Sequence, residues 1–124
     1  MRTLDNLTFG FIGIGLIGGS VAKALRRVYP SCKIIVFNRG AKPRVLAMND
    51  GTANIAVDSV NNTFNECDYI FLCTPVEYNA VYLEKVRPFL KPGALITDIG
   101  STKTDIHQAV ERLGYEDVFV GGHP

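Results

Sequence analysis

The chain has 124 residues, with thirteen Lys and Arg against twelve Asp and Glu, a formal net charge of +1, and 47% hydrophobic residues that include seven Phe, five Tyr and no Trp. That length fits one domain able to bury roughly two-thirds of its unfolded surface, and the composition excludes a disordered or fibrous chain. The balanced charge gives no reason to invoke nucleic acid, and no run of about 20 apolar residues suits a membrane span.

Thr8 to Ser20 reads as an apolar strand that breaks into a glycine-rich turn and then opens a helix. The apolar stretch Phe9 to Gly19 carries five glycines and runs into an amphipathic helix, which separates it from a signal-peptide core. Within that helix Ile17, Val21, Ala24, Leu25 and Val28 recur at helical spacing, with Lys23, Arg26 and Arg27 on the other side. Lys33 to Phe37 is a short buried strand ended by Asn38-Arg39-Gly40. Pro43 sits near the first turn of a helix reaching about Asn49, where Asp50-Gly51 stops it. Ile55 to Val57 is a brief third strand. After the polar stretch Asn61-Asn62-Thr63, the apolar run Asp68 to Cys73 implies a central strand covered on both faces and closed by Thr74-Pro75. Tyr78 to Arg87 reads as a helix halted by Pro88, and Lys91-Pro92-Gly93 is turn chemistry before the strand Ala94 to Asp98. Ile106, Ala109, Val110 and Leu113 lie at i, i+3, i+4 and i+7, so a further helix ends at Gly114. Val118 to Val120 is a sixth strand, followed by Gly121-Gly122-His123-Pro124.

Alternating strands and helices predict an α/β fold: a Rossmann-type, doubly wound, mainly parallel six-stranded sheet with helices on both faces. The expected strand order is 3-2-1-4-5-6, with ligand at the carboxyl ends of the strands. Residues 1–124 form one dinucleotide-binding domain, and the absence of a helix after the last strand suggests that a partner domain lies beyond this chain. Cys32, Cys67 and Cys73 are odd in number and lack C-x-x-C spacing, so neither a disulfide framework nor a zinc site is expected. A reducing cytoplasm is the simplest compartment.

Gly13-Ile14-Gly15-Leu16-Ile17-Gly18 is a G-x-G-x-x-G turn in the required strand-to-helix context. Gly13 allows the tight turn, Gly15 lets the backbone approach a pyrophosphate, and Gly18 lets the helix pack closely. The amides at the helix start, from Leu16 and Ile17 onward, attract an anion. About 20 residues past the glycines, NAD-specific folds carry an Asp or Glu that binds the adenosine ribose; this chain has Asn38-Arg39. A guanidinium forms charge-assisted bonds with a 2′-phosphate worth roughly 1.5–3 kcal/mol, about 10- to 100-fold in affinity. The reading is therefore NADP(H) over NAD(H), with Lys42 and Arg44 as solvated surface charges.

Two further segments follow strands five and six: Asp98-Ile99-Gly100-Ser101-Thr102-Lys103 and Gly121-Gly122-His123-Pro124. Together with the glycine turn they closely resemble the prephenate dehydrogenase family, including its arogenate-using relatives. The resemblance covers the whole chain but only the family's cofactor-binding half, and Asn38-Arg39 departs from the acidic residue of its NAD-dependent members. It implies oxidative decarboxylation of prephenate to 4-hydroxyphenylpyruvate in tyrosine biosynthesis, with hydride passing from the hydroxyl-bearing carbon to the nicotinamide as carbon dioxide leaves. His123 matches the family's catalytic histidine; an imidazole of unperturbed pKa about 6.5 accepts a hydroxyl proton at neutral pH. Ser101 matches a serine that positions the same hydroxyl or the histidine, and also suits a helix cap. Thr74-Pro75 is expected to line the nicotinamide ribose pocket. The family's substrate carboxylates are held partly by a following helical domain that forms most of a homodimer, so the 124 residues alone are expected to be inactive.

His107, Asp98 and Lys103 read as structural, Cys73 as a small core residue, and Glu77, Tyr78 and Tyr82 as weak candidates for the substrate side. Three alternatives remain open: an arogenate dehydrogenase, another 6-phosphogluconate-dehydrogenase-like reductase of hydroxy acids or imines, and a non-catalytic NADP-binding module.

Overall fold

A computed structural model describes residues 6–98 and 119–121 of the chain. Its strands are β1 (Thr8–Ile12), β2 (Lys33–Phe37), β3 (Ile55–Val57), β4 (Tyr69–Leu72), β5 (Leu95–Asp98) and β6 (Phe119–Gly121). Three helices are described: α1 (Leu16–Val28), α2 (Ala41–Asn49) and α3 (Val76–Val86). All strand pairs are parallel, and the sheet runs β3-β2-β1-β4-β5-β6. The helix expected over 106–113 lies outside the described residues.

The sheet separates two apolar clusters because side chains alternate along each strand. Phe9, Phe11, Ile34 and Val36 pack with Ala22 of α1 and Ala47 of α2. Ile12, Ile35, Phe37, Ile70, Leu72 and Ile96 pack with Leu83 and Val86 of α3 on the other side. β4 is more lopsided than its apolar run implies: Ile70 and Leu72 are buried, whereas Tyr69 and Phe71 are half-buried. Phe71 stacks on Phe11 with ring centroids 4.9 Å apart, an aromatic contact between the two strands.

The register places Val57, Phe37, Ile12, Leu72, Asp98 and Gly121 side by side across the sheet. Each is the last residue of its strand, so every loop that follows a strand leaves from one edge. At the opposite edge Asp68 ties three strands together. Its carboxylate accepts from the Thr8 amide at 2.8 Å and from Lys91 Nζ at 2.6 Å, and its carbonyl accepts from the Leu95 amide.

Several local expectations are corrected by tertiary contacts. Among the described side-chain positions of α1, Gly18 and Ala22 are buried and Val21 and Leu25 pack partly against the core, whereas Ala24 is exposed and Val28 is 63% exposed. Arg26, read as a solvent-side charge, turns inward and donates to the carbonyls of Cys32, Pro30 and Thr52. It thereby closes the link between α1 and the starts of β2 and β3. α3 begins two residues earlier than Tyr78, and Pro88 falls within a short 3₁₀ turn, Arg87–Phe89, that continues the helix. The polar stretch from Asn61 likewise leads into a 3₁₀ turn, Asn62–Glu66, capped by the Asn61 side chain and anchored by fully buried Phe64. β6 is displaced one residue toward the carboxyl terminus from Val118–Val120.

The three cysteines are unpaired with one another, and Cys67 is wholly enclosed. Burial pushes its thiol up to about 12, helped by the neighbouring carboxylates of Asp68 and Glu66. The folded chain thus holds this proton more tightly than the unfolded one. Its stabilising effect is complete below the unfolded thiol value near 9 and is lost as pH rises toward 12, at about 1.4 kcal/mol per unit. In urea unfolding at pH 8 and pH 10.5, wild type is expected to lose about 2 kcal/mol more between the two pH values than Cys67→Ala. Equal losses would remove the thiol from the alkaline behaviour.

Candidate dinucleotide-binding site

At the common carboxyl edge, β1 passes into the glycine turn through Gly13, whose φ is +84°. The Gly13 amide donates to the Phe37 carbonyl at 2.7 Å, which bends the chain across the end of β2. A Cβ at Gly13 would lie 2.7 Å from Thr74 Cγ2 and 3.1 Å from the Thr74 amide nitrogen. The turn is therefore pressed against the chain leaving β4, and only glycine fits. Gly15, at φ +33°, is the residue before α1, and nothing crowds it more closely than the Cys73 carbonyl at 4.0 Å. That open approach is what a phosphate needs.

The backbones of Leu16, Ile17 and Gly18 form the first turn of α1, and the first bond of the helix ladder here is Gly19 N–H to Gly15 O. The amides before it have no partner within the helix, and no acidic side chain stands in that turn. Gly18 packs on Cys73, to which a Cβ would come within 3.0 Å of Sγ. The close packing expected of the third glycine is thus made against the residue that follows β4. This also gives Cys73 its packing role.

Asn38, read with Arg39 as a cofactor contact, braces the turn. Its Oδ1 accepts from the Ile14 amide at 3.1 Å and its Nδ2 donates to the Gly40 carbonyl at 3.0 Å. Asn38 holds the glycine turn and the β2–α2 loop at a set separation. Arg39 is exposed, lines the cleft beside Asn38, and has no hydrogen-bond or ion-pair partner among the described residues. Arg44 bonds the Gly40 carbonyl through Nε, which makes it a loop brace.

The cleft itself measures about 260 Å³ and is bounded by Gly13, Gly15, Arg39, Thr74, Pro75 and Tyr78. Glycine amides, one unpartnered guanidinium and an aromatic ring fit a dinucleotide: anion donors at one end, a phosphate cation and a flat apolar face at the other. Thr74 and Pro75 are on its wall. Ser101 and His123 lie outside the described residues.

The family model for the prephenate dehydrogenase nucleotide-binding domain matches residues 21–124. The chain belongs to that family. The glycine turn stands ahead of the matched span, so its reading rests on the geometry above. A prephenate dehydrogenase of Lactococcus lactis subsp. cremoris is 35% identical over 116 residues, covering 91% of this chain and 32% of that protein. Synechocystis arogenate dehydrogenase superposes with TM-score 0.84 at 34% identity, over 95% of this chain and 41% of that one. The prephenate dehydrogenase of A. aeolicus in complex with hydroxyphenyl propionate and NAD+ gives TM-score 0.87 at 28% identity, over 99% and 43%. The chain spans about a third of the length of the curated relative.

One feature of this prephenate dehydrogenase-family domain escaped sequence reasoning. Asn79 is completely buried on α3 and its Oδ1 accepts from the Thr74 hydroxyl. This fixes the Thr74 side chain, and with it the methyl that touches the glycine turn. The available signal was a lone amide between apolar Ala80 and the Thr74-Pro75 turn at the start of a helix. Tyr78 and Tyr82, candidates for the substrate side, line the cleft and its continuation together with Arg39. Tyr82 packs on Phe37 with ring centroids 5.1 Å apart. No helix among the described residues is long and apolar enough to cross a membrane.

Proposed function

We propose that this chain is the nucleotide-binding domain of a cytoplasmic, homodimeric enzyme that oxidatively decarboxylates prephenate, with NADP preferred over NAD. The observation that carries the reading is the single carboxyl edge: the glycine cradle after Ile12, Arg39 beyond Phe37, Thr74 beyond Leu72, and the ends of β5 and β6 at Asp98 and Gly121 all share it. Ser101 follows Asp98 by three residues and His123 follows Gly121 by two. Covalent reach alone keeps them within about 11 Å and about 7 Å of that row. Membership of the family supports the same assignment.

The amides of the first turn of α1 hold the pyrophosphate, Thr74 and Pro75 line the nicotinamide ribose, and Arg39 meets the adenosine 2′-phosphate. The bound nucleotide supplies a hydride acceptor. His123 takes the proton of the substrate hydroxyl, and Ser101 holds that hydroxyl and the imidazole in line. A second, helical domain holds the substrate carboxylates, so turnover belongs to the longer protein and these 124 residues alone are inactive. Arogenate is the second substrate reading, favoured by the Synechocystis relative.

The test is a turnover assay of the full-length protein with prephenate and arogenate, beside calorimetric titration with NADPH and NADH. NADPH is expected to bind more tightly, and Arg39→Ala to weaken NADPH about 10- to 100-fold while leaving NADH within about twofold. Tighter NADH binding by wild type would overturn the cofactor assignment, and no turnover of either substrate would overturn the enzyme.

A further inference from the structure

The cleft beside the glycine turn does not end at Arg39. It continues into a second cavity of about 520 Å³ whose walls include Phe37, Arg39, Asp58, Tyr78, Tyr82 and Lys85. Four of these, Phe37, Arg39, Tyr78 and Tyr82, also bound the first cleft, so the two form one trough from the glycine amides toward the end of β3. Lys85 lies one turn beyond Tyr82 on α3, with Nζ 5.4 Å from the Tyr82 ring centroid. That ring is its one recorded partner among the described residues, and no carboxylate neutralises it. Two cations thus stand on one cavity against a single carboxylate, Asp58, on the wall that follows β3.

We infer that Lys85 is a second specificity-determining cation of the nucleotide site, which shares the adenosine 2′-phosphate with Arg39 from the opposite wall. This inference rests on the dinucleotide reading above and deepens it. Tyr82 is pinned between Phe37 and the Lys85 ammonium, so Lys85 is held over the cavity without being bonded away from it. Tyr78, 48% exposed, offers a free aromatic face for a purine. Asp58 offers an acceptor to the exocyclic amine of adenine. A phosphate between a guanidinium and an ammonium makes charge-assisted bonds to both, whereas a ribose hydroxyl makes weaker ones. The outcome is discrimination at the 2′ position beyond what Arg39 supplies alone.

The experiment titrates the full chain with NADPH, NADH and adenosine 2′,5′-bisphosphate, comparing wild type, Lys85→Met, Lys85→Arg and Lys85→Met with Arg39→Ala. Met keeps the apolar stem over Tyr82 and removes the charge. Lys85→Met is expected to weaken NADPH and the bisphosphate about tenfold with NADH within twofold, and the double variant to lose the preference for NADPH. Lys85→Arg is expected to retain it. Equal weakening of NADPH and NADH would make Lys85 a wall of the cleft and overturn the inference, as would no change in either. Failure of wild type to bind any of the three would instead overturn the dinucleotide reading itself.

Discussion

Gly13→Ala lowers affinity for NADPH and NADH alike by at least about 100-fold and destabilises the fold by about 2–4 kcal/mol. Two costs combine at this position. Alanine at φ +84° occupies a backbone region that a Cβ disfavours, and the new methyl meets Thr74 Cγ2 at 2.7 Å and the Thr74 amide nitrogen at 3.1 Å. Thr74 cannot rotate aside without giving up its bond to buried Asn79. The turn must therefore move off β4, which carries the helix amides away from where a pyrophosphate sits. Thr74→Ser removes the nearest atom and keeps the hydroxyl, so the double variant is expected to recover part of the stability but not all, since the backbone contact and the dihedral remain. Thermal melts and calorimetry of the two singles and the double measure the coupling. Gly13→Ala that melts and binds like wild type would remove the pressed-turn account.

His123→Gln in the full-length protein lowers kcat by about 10²- to 10⁴-fold, the range for loss of a positioned general base. Glutamine keeps a polar group of similar reach but cannot accept the substrate proton near neutrality. Dinucleotide affinity is expected to stay within twofold of wild type, because the nucleotide's contacts come from the edge built by β1, β2 and β4. A variant retaining more than about a tenth of wild-type kcat would take His123 out of the base role. One that lost nucleotide affinity as well would mark a structural effect instead. Ser101→Ala, which removes an aligning group and leaves the base, is expected to cost less.

Much of this site was legible from one strand of residues at a time. The order of strands and helices through β5, the extents of β2 and β3 and the spacing of Gly13, Gly15 and Gly18 are local features. They follow from apolar runs, turn residues and the backbone freedom of glycine, each of which acts within a few positions. The place of Arg39 beside the glycine turn was legible for the same reason: it stands at a fixed distance past those glycines, just after β2.

What the sequence could not assign are the groups whose partners lie far along the chain. The bracing role of Asn38 depends on the Ile14 amide, 24 positions away, which donates to its oxygen. Arg26 sat on the polar side of its helix, yet the carbonyl of Thr52, 26 positions on, draws it inward. Asn79 carried no periodic signature because a buried amide is chosen by one hydroxyl, here that of Thr74, and by no repeat. Lys85 was simply a charged helix residue until α3 came to rest beside β2 and laid Tyr82 on Phe37. Local sequence thus determined which elements form and where the glycine turn falls between them. Only the packing of β2, β4 and α3 at one sheet edge decided which polar side chains brace that turn and which stand open to a ligand, because a hydrogen bond or ion pair depends on distance in space rather than on position in the chain.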